Sequence, residues 1–113
     1  MNLTRRAPKD WKSFEDTISS IMDGSYDPEF SSMLLQVKCK TIKMEAEIAM
    51  ALNPERKTRR LMELYHMKIG KCLDSIKENQ RFANDLQLEK LDVVYGKLFR
   101  LRKFIGELLE EGN

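Results

Sequence analysis

The chain contains 113 residues, of which 42% are hydrophobic and 34% are charged, so it fits one small domain with a modest core and leaves no room for a second core. The formal net charge is only +2, and this near balance excludes an argument for nucleic-acid binding from the charge of the whole chain. A membrane span needs about 18 consecutive apolar residues and a secretory signal needs an apolar run behind its basic residues, and the sequence has neither. We therefore expect a soluble protein without membrane contact, located in the cytoplasm, on the nucleoid, or in the nucleus of a eukaryote.

The first predicted helix covers about residues 10–23. Asp10 can cap its start, because an aspartate oxygen accepts hydrogen bonds from free backbone N–H groups, and Gly24 can stop it, because glycine tolerates a left-handed backbone. Trp11 and Phe14 lie on its apolar face. Burial in the core is the simpler role for these two aromatic residues, and a docking edge for a partner is the alternative.

The second predicted helix covers residues 28–52. Asp27 can act as its N-cap, and Pro28 occupies the first helical position, where the missing N–H group of proline is not needed. Its apolar side chains recur at three- and four-residue spacing and form one continuous stripe. The stripe consists of Phe30, Leu34, Val37, Thr41, Met44, Ile48 and Ala51.

The third predicted helix covers residues 54–78 and also begins with an N-cap residue followed by proline. Asn53 offers its side-chain oxygen to backbone N–H groups, Pro54 occupies the first helical position, and Glu55 is favourable at the positive end of the helix dipole. One face of this helix is apolar for most of its length. It consists of Leu61, Leu64 or Tyr65, Lys68, Cys72 and Ile76, with Ile69 and Leu73 beside it.

The fourth predicted helix covers residues 87–111. Phe99, Phe104 and Leu109 lie beyond its main apolar seam, so this helix has apolar residues on more than one face and needs more than one neighbour. In a domain this small, a second subunit can supply the additional neighbour. Tyr95, Phe99 and Phe104 are therefore candidates for the core or for an interface. The seam itself consists of Leu91, Val94, Leu98, Leu101, Ile105 and Leu108.

These elements predict an all-α fold, a bundle of one short and three long helices that are mostly antiparallel, in a single domain over residues 1–113. No segment shows the strict alternation that is typical of a β-strand. A helix of about 25 residues is roughly 37 Å long. Rods of this length exceed what a compact domain of this size needs, so we expect an end or a face of the bundle to pack against another chain.

Reactive side chains are few. Glu63 and His66 form a Glu-x-x-His pair of the kind that binds two iron ions in ferritin-like bundles, but such a site needs two pairs and two further glutamates, and this chain has one histidine. Cys72 lies six positions after His66, about 120° around the same helix and roughly 9 Å along it, so a Cys-His catalytic pair is also excluded there. We predict no enzyme, no metal and no other cofactor, and interpret Cys39 and Cys72 as free thiols in a reducing cytosol.

Positive charge clusters at the start of the third helix. Arg56, Arg59 and Arg60 share one face, and cations at this end oppose the helix dipole, which makes contact with a partner more plausible than for an average charged face. A solvated face with pairs inside the chain is the plainer interpretation. The alternative function is a small nucleic-acid-binding regulator that uses the basic face of helix 54–78. The candidate partner-binding residues are Arg56, Arg59, Arg60, Lys68, Lys71, Arg100 and Lys103.

Four segments occur in an order that resembles the α-helical domain of GINS subunits. They are "YDPEF" with Phe30, "ERKTRRLMELY" with Glu55, Arg59, Leu61 and Tyr65, "MKIGKCL" with Lys68, Lys71 and Leu73, and "LQLEKLDVVYGKLFRLRKFIGELLEE" with Leu88, Glu89, Tyr95 and Leu98. The resemblance covers nearly the whole chain. GINS subunits usually also carry a small β-rich domain, for which the sequence has no room after Glu111.

The resemblance implies a scaffold for DNA replication that acts in an oligomeric complex. GINS subunits assemble into a ring-like tetramer, so the helical faces are expected to bind sister subunits in a homo- or hetero-oligomer. The assembly would couple the MCM helicase to a RecJ-like partner and to a polymerase or primase. In that role Arg56, Arg59, Arg60, Lys68 and Lys71 are expected to contact other subunits or partners, with nucleic acid a secondary ligand.

Overall fold

A computed structural model describes residues 14–52 and 56–111 of the chain. Every regular element in these two ranges is an α-helix, which confirms the predicted all-α bundle of one short and three long helices. None of these helices holds an apolar stretch long enough to cross a membrane. The helices are α1 over 14–23, α2 over Pro28–Leu52, α3 over Arg56–Gln80 and α4 over Asp85–Glu111.

The bounds of α2 are as predicted, whereas α3 ends at Gln80 rather than residue 78 and α4 begins at Asp85 rather than residue 87. A reciprocal cap explains the earlier start of α4. The Gln87 backbone N–H donates to Asn84 Oδ1 at 2.9 Å, and the Asn84 N–H donates to Gln87 Oε1 at 2.8 Å. These two bonds satisfy backbone donors that the helix itself leaves free. The predicted starts of the first and third helices, at Asp10 and Pro54, lie outside the described residues.

The order of contacts shows that α3 and α4 are antiparallel. At one end, Arg59 Nη2 donates to the Leu109 carbonyl oxygen at 2.6 Å, and at the other end Gln80 Nε2 donates to Asp92 Oδ1 at 2.9 Å. The first bond places a cation on the free carbonyl groups near the C-terminus of α4, where positive charge is favourable.

The long helix α2 packs mainly on α4 and runs parallel to it. Lys90 Nζ lies 5.4 Å from the ring centroid of Tyr26, just before α2, and Lys43 Nζ lies 4.8 Å from the ring centroid of Phe104 farther along both helices. Both are cation-π contacts. Because α3 and α4 each reverse the direction of the helix before them, α2 and α4 run the same way, and α2 contacts α3 less than it contacts α4.

The short helix α1 closes one end of the bundle. It ends at Gly24, whose φ of 84° is left-handed and is unfavourable for any residue with a Cβ. Gln87 Nε2 donates to the Met22 carbonyl oxygen at 3.2 Å, which ties the end of α1 to the start of α4. Phe14, Ile18 and Ile21 enter the core from α1.

One hydrophobic core joins all four helices. The predicted seam of α4 is buried apart from Leu108, which is half-buried, and Phe104 and Leu109 also pack against the core. The core residues are Phe14, Ile18 and Ile21 of α1, Leu35, Ile42 and Ala46 of α2, Met62, Tyr65, Ile69, Cys72, Leu73 and Ile76 of α3, and Leu91, Val94, Leu98, Leu101 and Ile105 of α4.

The apolar stripe that the sequence indicates along α2 faces solvent. Its described members Val37, Thr41, Met44, Ile48 and Ala51 are all exposed. The helix enters the core with a different and narrower face, which carries smaller side chains. That face consists of Leu35, Ile42 and Ala46, with Cys39 and Met50 partly buried beside it. Helix α2 therefore has two apolar faces, and the part of the chain that the structure describes covers only one of them.

Candidate interaction surface

The outer face of α2 carries a row of large apolar side chains. Met33, Val37, Met44 and Ile48 are each between 51% and 60% exposed. At about 100° per residue they fall within roughly 60° of one another around the helix, and Ile42 lies on the opposite side in the core. The row is about 22 Å long at a rise of about 1.5 Å per residue. We call these four residues the α2 stripe. A row of large exposed apolar side chains on a protein surface is typical of an interaction site.

Two lysines of α2 lie between the α2 stripe and α4. Around the helix, Lys40 is roughly 40° and Lys43 roughly 100° from Met44, on the flank that faces α4. Lys43 extends across Phe104, with Nζ 4.8 Å from the ring centroid. The flank of the stripe where α2 meets α4 thus carries these two lysines, with the exposed carboxylate of Glu47 one turn after Lys43.

A groove of about 260 Å³ runs between α2 and α4 at this point. It contains four basic side chains, two from each helix, and none of its described lining residues is acidic. Because like charges held close together raise the local potential, the groove favours an anionic group in a way that the net charge of the chain does not reveal. We call it the α2–α4 groove. It is lined by Gln36, Cys39, Lys40, Lys43, Lys97, Arg100, Leu101 and Phe104.

The thiol at the floor of the α2–α4 groove is held in its neutral form. Burial raises the pKa of Cys39 to about 11, and the opposing effect of the Lys97 charge is smaller. Burial also raises the pKa of Cys72 to about 11, and the nearby Glu15 adds to this increase while Lys68 opposes it. Neither thiol has the low pKa of a nucleophilic cysteine.

The structure gives Arg59, one of the predicted partner-binding residues, contacts within its own chain. Its guanidinium donates to the Leu109 carbonyl oxygen, and its Nε lies 3.9 Å from Glu63 Oε1. Arg60 and Lys71 are exposed on the outer side of α3. The three cations therefore do not form one surface.

The exposed side of α3 has mixed character. Leu64 and Met67 are exposed between Arg60 and Lys71, and Asp74 is exposed on the next turn. Lys68 is half-buried and points away from that line. The side chain of Arg56 lies outside the described set. The structure thus places apolar and acidic groups among the predicted basic residues of this helix.

The two candidates from α4, Arg100 and Lys103, separate in the same way. Arg100 lines the α2–α4 groove, whereas Lys103 is exposed elsewhere on the helix. The other three cations of the groove, Lys40, Lys43 and Lys97, were not among the predicted partner-binding residues. The sequence signal for these residues is modest. Lys40 and Lys43 lie three residues apart in α2, and Lys97 and Arg100 have the same spacing in α4.

The candidate aromatic residues have different environments. Tyr95 is half-buried and stacks on the exposed ring of Phe99, with the two ring centroids 6.2 Å apart. Phe104 is half-buried in the α2–α4 groove. Trp11 and the side chain of Phe30 lie outside the described part of the chain. Phe104 is therefore the candidate aromatic side chain that the structure places next to a cluster of cations.

The single histidine lies between α3 and α4. Arg102 Nε donates to the His66 carbonyl oxygen at 3.0 Å, and a Cβ added at Gly106 would come within 3.3 Å of His66 Nε2. Glycine at 106 thus leaves room for the imidazole. Burial lowers the pKa of His66 below its ordinary value of 6.5, and the Arg102 charge lowers it further.

We expect this histidine to make stability depend on pH. Because its pKa is lower in the folded state, the unfolded chain binds more protons in the interval between the two values. The free energy of unfolding should therefore decrease as the pH falls through 6.5 toward the lowered value. Urea unfolding at several pH values measures this slope, and His66→Gln should remove it. An unchanged slope in His66→Gln would assign the effect to other groups.

Comparison with known proteins adds no functional assignment: no family model, curated protein or solved structure matches the chain. Within residues 14–52 and 56–111, no group of three or more His, Cys, Asp or Glu side chains is placed to hold a metal ion. The α2 stripe and the α2–α4 groove are therefore the features of the molecule that bear on its function.

Proposed function

We propose that the chain is a non-enzymatic helical interaction protein that acts as a subunit of an oligomeric complex. The α2 stripe is the observation that carries this proposal. Four large apolar side chains, each more than half exposed, lie in line on the face opposite the core. Covering such a row removes apolar surface from water, which is the main favourable contribution to protein association.

The sequence resemblance gives the proposal a specific form, a GINS-type scaffold in DNA replication. In this form the α2 stripe meets a sister subunit, and the complex links the MCM helicase to a RecJ-like protein. Native mass spectrometry of the complex purified from its own cells tests this form directly, because it identifies the subunits and their stoichiometry. A complex without replication proteins would refute the GINS assignment while leaving the broader proposal intact.

Substitution of Met44 tests the role of the α2 stripe. Met44→Glu places a charge in the middle of the row, and we expect assembly to weaken by about tenfold or more, because the charge would have to be buried at the interface. The measurement is the yield of co-purified subunits, with light scattering for the mass of the complex. The matched control is Met67→Glu, a similarly exposed methionine on α3, which should assemble normally. Equal assembly of both variants, or a wild-type chain that is strictly monomeric and binds no partner, would contradict the proposal.

Nucleic-acid binding by the basic face of α3 is the second candidate. Arg60 and Lys71 are exposed and available for phosphate contacts. Leu64 and Met67 interrupt these cations with apolar side chains that make no contact with phosphate, so we rank this candidate lower. Affinity for duplex DNA that falls steeply with salt, with a log-log slope of several units, would favour it. Indifference to DNA would exclude it.

A further inference from the structure

The α2 stripe and the α2–α4 groove form one continuous surface with two chemical characters. The stripe is apolar, and the groove beside it holds Lys40, Lys43, Lys97 and Arg100. We propose that this combined surface binds an acidic amphipathic helix of a partner protein. The inference deepens the proposed function, on which it depends, by stating the chemistry of the partner.

The shape of the surface fits a helix. The stripe extends for about 22 Å in a straight line, which equals the length of a helix of about 15 residues. An amphipathic helix places apolar side chains at three- and four-residue intervals on one face, and this spacing matches the exposed side chains of α2. The crevice between α2 and α4 would accept the side chains on one flank of such a helix, with Phe104 and Leu101 lining its apolar wall.

The positive charge of the groove favours negative charge on the flank of the partner helix that enters it. Two basic pairs, one on each helix, face the same space, and none of the described lining residues is a carboxylate. Glutamate or aspartate side chains at three- or four-residue spacing on the partner would each meet a cation of the groove. The Lys43 ammonium already lies over Phe104, so it is held in place before the partner arrives.

The same observations make a nucleic acid or a second copy of this chain a less favourable occupant of the combined surface. A nucleic acid would use the cations of the groove, but it would leave the apolar stripe exposed to water. A second copy of this chain would cover the stripe, but it would bring its own groove cations against these four, with Glu47 as the exposed carboxylate among the described residues of its α2. An acidic amphipathic helix satisfies both the stripe and the groove.

Binding to designed peptides tests the proposal. Three labelled helical peptides of about 18 residues cover the stripe, with a residue or two beyond it at each end. The first has a leucine face with glutamates along one flank, the second has lysine in place of each glutamate, and the third has serine in place of each leucine. Fluorescence anisotropy at about 0.15 M salt should show that the first peptide binds at least about tenfold more tightly than the other two.

Variants of the protein supply the matched comparison. The double variant Lys40→Glu with Arg100→Glu changes two exposed cations of the groove and should weaken binding of the acidic peptide by about tenfold or more. The lysine peptide should bind this variant more tightly than it binds the wild type. The control, Arg60→Glu with Lys71→Glu, reverses the charge of one arginine and one lysine on α3. Its affinity for the acidic peptide should stay within about twofold of the wild type. Circular dichroism of each variant verifies folding.

Other results would overturn the proposal. Equal affinity for the glutamate and lysine peptides, or no loss in the groove variant, would show that charge does not select the partner. Tighter binding of duplex DNA than of the acidic peptide would assign the groove to nucleic acid. Dimers of the chain alone that are disrupted by Met44→Glu would assign the stripe to a second copy. If Met44→Glu abolishes assembly of the native complex and the groove variant does not, the proposed function stands and this inference fails.

Discussion

Replacing Leu98 by aspartate is expected to unfold the protein. Leu98 is 0% exposed and lies in the middle of the α4 seam. The substitution removes a buried leucine side chain and requires a carboxylate to be buried without a partner, which together cost about 3 to 5 kcal/mol. A small domain has a total stability of about 5 to 15 kcal/mol, with short chains near the lower limit. Far-ultraviolet circular dichroism and urea unfolding measure the loss.

The next residue provides the control. Phe99 is 51% exposed, so Phe99→Asp keeps its charge in water and loses mainly the stacking contact with Tyr95. We expect a decrease in the free energy of unfolding of about 1 kcal/mol. Similar unfolding midpoints for Leu98→Asp and wild type would refute the burial of the α4 seam.

Alkylation of the two thiols is expected to be at least about tenfold slower in the folded protein than in the unfolded chain. The reactive species is the thiolate, and a rise in pKa from 9.0 to about 11 reduces its fraction about 100-fold at neutral pH, while the greater nucleophilicity of a more basic thiolate offsets part of this loss. Iodoacetamide labelling at pH 7.5, followed by intact mass spectrometry, gives the two rates. Burial of Cys72 adds a steric barrier to the same effect.

Single substitutions separate the two sites. In Cys39→Ser the alkylation rate is that of Cys72 alone, and in Cys72→Ser it is that of Cys39 alone. The rate of each variant in denaturant is the reference for its rate in the folded state. Rapid labelling of Cys39 in the folded protein would contradict the dominance of burial over the Lys97 charge.

The predicted helices agree with the structure because their signals are local. Pro28 at the first helical position set the start of α2 correctly, and Gly24 ends α1 in the left-handed conformation that glycine favours. The start of α4 was placed late because Asn84 and Gln87 cap each other, and this polar stretch reads as a loop in the sequence. The α4 seam was predicted correctly because its apolar repeat is long and regular.

The site was not predictable in the same way, because it depends on which face of α2 the bundle buries. The sequence offers two apolar faces on this helix, and the face with larger side chains gives the stronger periodic signal. The bundle instead buries the face with Ala46, whose small side chain allows α2 close to its neighbours. The α2–α4 groove combines lysines of α2 with basic residues of α4 that are far apart in sequence, and only the packing of these two helices reveals it.

The exposed row on α2 also has a consequence for the fate of newly made copies in the cell. On the proposed function, a copy that has not met its partner presents Met33, Val37, Met44 and Ile48 to water, and chaperones and proteases act on exposed apolar surface of this kind. Assembly would cover the row and remove the copy from this surveillance. The amount of the protein that a cell retains would then follow the supply of its partner rather than its own rate of synthesis.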